Sequence, residues 1–67
     1  MKATAGPDES DPFRFTWHNT LSEAAVWIAY RGKWREGVII QRGLKTVTVA
    51  FDGHRLRRPY EKLRRRR

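Results

Sequence analysis

A chain of 67 residues with no cysteine makes one small domain, stabilised by neither disulfides nor thiolate-bound metal. No apolar run approaches a membrane span, and no basic-then-apolar leader opens the chain, so the expectation is a soluble protein of the cytoplasm or of the nucleoid or nucleus. The formal charge is +8, and eleven of the fifteen cations are arginine. Lys2 and Arg14 face Asp8, Glu9, Asp11 and Glu23 in residues 1–30. The other thirteen cations face only Glu36, Asp52 and Glu61 in residues 31–67. So lopsided a basic balance points to a polyanion, nucleic acid before membrane. The membrane is set aside because no continuous apolar helix face accompanies the charge.

In chain order, residues 1–12 are small, polar and acidic, with two prolines, and read as a disordered tail. Phe13, Phe15 and Trp17 alternate with Arg14 and Thr16, which predicts a short extended segment laid against the body. Thr20, with Glu23 three residues on, has the form of a capping box and predicts a turn or a single helical turn over 20–25. A strand over 26–31 follows, rich in β-formers. The turn Arg31-Gly32-Lys33 leads to a long strand over 34–42, whose Val38-Ile39-Ile40 run predicts burial on both faces. After a turn at Gly43, residues 46–51 alternate, with Val47, Val49 and Phe51 inward. Asp52-Gly53 is a type I′ hairpin signal, and His54 begins the return strand that Pro59 ends. Residues 60–63 predict a short helical turn with Leu63 as an apolar plug. Residues 64–67 predict a free basic tail.

The segments VWIAYRGKWREGVII, VTVAFDG and RRPYEKLR, in that order, resemble the SH3-like small β-barrels of the Tudor, KOW and retroelement-integrase C-terminal group. The resemblance covers about residues 24–64 and is nearest the integrase DNA-binding barrel in DGHRLRRPYEKLR. It implies an all-β fold: a small SH3-like five-stranded β-barrel with a short helical turn and disordered termini, its body at 13–63. It also implies a binding module and not an enzyme.

The residues expected to bind nucleic acid are Lys33, Arg35, Arg42, Lys45, Arg55, Arg57 and Arg58. Lys62, Arg64, Arg65, Arg66 and Arg67 are auxiliary. The contacts are to phosphates, with DNA ahead of RNA and with low sequence specificity, since no recognition helix is evident. Exposed aromatics beside arginine would stack on unpaired bases, with Tyr30 and Trp34 the foremost candidates. One alternative is a Tudor-like reader of methylated residues, for which the resemblance puts Tyr30, Trp34, Phe51 and Asp52 near an aromatic cage. The cationic surface opposes that ligand, and so does Arg35, which one register puts at a cage position. The other alternative is a module that docks a protein partner. His18 and His54 lack companions for catalysis or metal binding, so no catalytic, metal or cofactor site is expected. Oligomeric state is left open.

Overall fold

A computed structural model describes residues 6–66. The chain is all-β: five antiparallel strands form one sheet, with a single 3₁₀ turn. The strands are β1 (Ala25–Tyr30), β2 (Lys33–Arg42), β3 (Thr46–Phe51), β4 (His54–Pro59) and β5 (Arg64–Arg65). The 3₁₀ turn, Tyr60–Lys62, joins β4 to β5. In space the order is β4-β3-β2-β1-β5.

Two hairpins set the register. Arg31 and Gly32 have φ of 52° and 76°, and Asp52 and Gly53 have φ of 47° and 78°. Two successive positive φ values are what a type I′ turn demands, and its twist matches the strands it joins. Tyr30 therefore opposes Lys33, and Phe51 opposes His54.

Alternation then sends one face of every strand inward. Val26, Ile28, Ile39, Val47, Val49 and Phe51 form the core with Phe15, Tyr60 and Leu63, and Leu56 packs against it. Leu63 is wholly buried, and the Tyr60 hydroxyl donates to the Gly43 carbonyl, tying the 3₁₀ turn to the β2–β3 corner. Gly37 lets β2 lie close over β3; a Cβ there would meet Val49 Cγ1 at 2.6 Å.

Four expectations are corrected. Val38 and Ile40 are exposed and only Ile39 is buried. Among the described residues no second layer covers the outer face of the sheet, and Ile40 falls at the bulge between Ile39 and Gln41. Over 20–25 a turn forms at residues 22–23, with the Ala24 amide donating to the Leu21 carbonyl, but no helical turn does. The Glu23 amide donates to the Ile39 carbonyl, and the Ile39 amide donates to the Ala24 carbonyl. Cross-strand pairing thus continues past β1 and takes the donor that a capping box would have used. The buried Thr20 hydroxyl donates to Thr16 O instead. The 13–17 segment packs Phe13 and Phe15 on the core, but Trp17 is left in a turn and exposed. Lastly, the sheet is open: β4 and β5 end the strand order and no ladder joins them.

The two ends expected to be free are joined to each other. Arg64 and Arg65 pair with Trp27 and Val26 of β1. Arg65 donates to both carboxylate oxygens of Asp11, at 2.8 and 3.0 Å, and lies 4.5 Å from the centre of the Phe13 ring. Arg66 pairs with Glu36 at 3.0 Å and donates to the Gly37 carbonyl. A forked guanidinium meeting a carboxylate makes two parallel bonds, which fixes the strand direction as well as binding it. Residues 1–5 and Arg67, which were also assigned to the tails, lie outside the described residues.

Because the Asp11 side chain is 8% exposed and Arg65 35%, Asp11→Ala is expected to destabilise the fold by about 1–2 kcal/mol, less than a fully buried pair would cost. Urea denaturation measures it. An unmoved midpoint would mean that β5 contributes nothing to the fold.

Candidate nucleic-acid interface

β5 covers β1 only at Val26 and Trp27, so residues 28–30 have no strand on that side. Across this open edge lies the far end of β4, although β2 and β3 separate the two strands in the ladder order. The sheet curls enough that Ile28 and Ala29 of β1, Trp34 of β2 and Pro59 of β4 line one groove of about 500 Å³. Its remaining lining is Arg57, Arg58, Lys62 and Arg64, and no carboxylate is among the lining residues.

Each cation reaches the groove for a local reason. Arg57 opposes Thr48 on β3, whose side chain faces outward, so Arg57 does as well. Arg58 opposes the buried Val47 at the end of the strand, and its guanidinium donates to Arg57 O. Lys62 is exposed on the 3₁₀ turn. Arg64 opposes Trp27, and its guanidinium donates to the carbonyls of Glu61 and Leu63. Among the described residues these last two arginines donate to backbone oxygens and join no ion pair.

Of the other cations singled out by sequence, several are used by the fold. Arg42 donates to the carbonyls of Trp17 and Thr20 and lies over the Trp17 ring at 5.2 Å. Arg35 stands 3.9 Å from Asp52. Arg65 and Arg66 hold Asp11 and Glu36. Lys33, Lys45 and Arg55 are exposed outside the groove. Lys33 is at the β1–β2 hairpin, Lys45 in the turn after β2, and Arg55 on the outer face opposite Ala50. Arg57 links the groove to that outer face, where it borders a shallower polar depression with Gln41, Thr46 and Thr48.

Compared with models of protein families, with characterised proteins and with solved structures, the chain matches none. The reading of the site therefore rests on its own geometry.

The four residues named for an aromatic cage separate into three places. Tyr30 and Phe51 stack edge-on at 5.1 Å, with His54 within 6 Å of both. Phe51 is buried, and the Arg31 guanidinium already lies over the Tyr30 ring at 5.5 Å. Asp52 faces Arg35. Trp34 joins no ring cluster among the described residues and borders the cationic groove. His54, for which the sequence offered no companion for catalysis or metal binding, is the third ring of the Tyr30–Phe51 cluster. Its place directly opposite Phe51 across a two-residue hairpin was a usable signal.

Proposed function

We propose that the chain is a nucleic-acid-binding module built as an open, SH3-like half-barrel. It binds phosphates through the groove between β1 and the β4–β5 turn, favouring DNA over RNA and discriminating little between sequences. The groove itself carries the reading. Two arginines, a lysine and a third arginine converge on one cleft with no acid among its lining residues, beside a tryptophan, while Asp11, Glu36 and Asp52 are paired with other arginines. Concentrated positive charge of this kind binds a polyphosphate by releasing its condensed counterions. Guanidinium groups suit it because their planar forks match phosphate oxygens.

Among the described residues no helix is longer than the three-residue 3₁₀ turn, so no recognition helix is offered to the major groove, which supports low specificity. A methyl-lysine reader is disfavoured because the Tyr30 ring already carries Arg31.

Titration with a duplex across salt concentrations tests the reading. Four groove contacts give a slope of log K against log salt of at least about −3.6, nearly the same for unrelated sequences. A flat salt response, or no binding at low salt, removes the proposal.

A further inference from the structure

We infer that the groove takes an unpaired nucleobase, stacked on Trp34, so that the preferred ligand is a single strand and not a duplex. This rests on the phosphate-binding reading above and specifies what enters between the cations.

A site for phosphate alone has no use for an apolar wall, since a phosphodiester gains nothing from one. This groove has one: Ile28, Ala29 and Pro59 beside the Trp34 indole. Its volume of about 500 Å³ is enough for a heterocycle with its sugar, and a base bound in a stacked pair of a duplex has no free face to offer. Gly6 lies beside the indole, where a Cβ would come within 3.3 Å of Cδ1, and a ring whose motion is restricted loses less freedom on stacking.

The edge of β1 adds a polar pair. Tyr30 and Lys33 flank a two-residue turn and so exchange both their hydrogen bonds. The next pair, Ala29 and Trp34, is then non-hydrogen-bonded, and the Ala29 N–H and C=O point away from β2. β5 ends before reaching them. The donor and acceptor of this one edge residue match the Watson–Crick edge of any base in some orientation, without selecting one. Arg57, Arg58, Lys62 and Arg64 then hold the phosphates on either side.

The test compares a ten-nucleotide deoxythymidine strand, the same strand with abasic spacers at its central positions, and a duplex of equal length. Each is titrated against the intact protein, Trp34→Leu and Trp34→Phe at two salt concentrations, with folding checked by circular dichroism. The expected result is a single strand bound about 5- to 100-fold more tightly than its abasic counterpart, the range that one stacked base supplies. Trp34→Leu removes that advantage, and Trp34→Phe keeps most of it. Equal binding of the normal and abasic strands by the intact protein overturns the inference and needs no variant at all. So does a Trp34→Leu protein that retains the preference. Either result, with the salt slope intact, leaves the phosphate reading standing; loss of the slope itself would remove both.

Discussion

Replacing Arg57 and Lys62 together with glutamate is expected to weaken binding to every nucleic acid, duplex or single strand, by on the order of 100-fold at about 0.1 M salt. The pair is chosen because both side chains are exposed and neither donates a hydrogen bond or joins an ion pair among the described residues. The fold has no need of them, so circular dichroism and the thermal midpoint should be unchanged. Two reversals cancel the positive charge of Arg58 and Arg64, leaving the groove without net attraction for a phosphate chain. Glutamine at the same two positions gives a milder form, in which the salt slope falls by about two ion releases. Reversing Lys33 and Arg55 instead, outside the groove, should cost much less. Filter binding or fluorescence anisotropy measures all three, and equal losses from the two double reversals would show that total charge matters and the groove does not.

The comparison between those two pairs could not have been chosen from sequence. Charge density in residues 31–67 is plain from the composition, but which guanidinium groups remain available is decided by partners far along the chain. Arg65 meets Asp11 across 54 positions, and Arg42 reaches Thr20 across 22. An arginine has five donors, and a small fold with few acids and many loop carbonyls takes up several of them. No local pattern marks which.

The elements that were legible have causes within a few residues. Asp52-Gly53 requires two positive φ values, and the Val47, Val49, Phe51 alternation requires one buried face. The run Val38-Ile39-Ile40 misled because apolar composition was taken for burial, while a bulge and a missing second layer leave two of the three exposed. Thr20 misled because a capping box is worth about 1 kcal/mol, and the continued ladder to Ile39 satisfies the same backbone groups while also extending the sheet. Trp34 was named from sequence for stacking, but the residues around it come from β1, β4 and the 3₁₀ turn, and only the curl of the sheet assembles them. Truncating residues 64–67 is accordingly a poor probe of a basic tail, since it removes β5 and the Asp11 and Glu36 pairs along with the charge.

β2 and β3 approach closely at one position, which supplies the largest expected effect on stability. Gly37 does not have positive φ, so its requirement is for space and not for a special backbone. A Cβ built there meets Val49 Cγ1 at 2.6 Å and the Ala50 carbonyl oxygen at 3.1 Å. Neither neighbour yields easily. Val49 is wholly buried, and its β-branch leaves few rotamers. The Ala50 oxygen belongs to the backbone of a central strand. Gly37→Ala must therefore push β2 away from β3, and overpacking of this kind costs roughly 1–3 kcal/mol. In a domain of this size the whole stability is about 3–5 kcal/mol, so the thermal midpoint should fall by roughly 5–20 °C. Val49→Ala in the same chain removes the methyl that the new Cβ strikes. The double variant should lose less than the sum of the two single losses, and the difference measures the contact. Additive losses, or a Gly37→Ala protein as stable as the parent, would show that the strands have room to separate there.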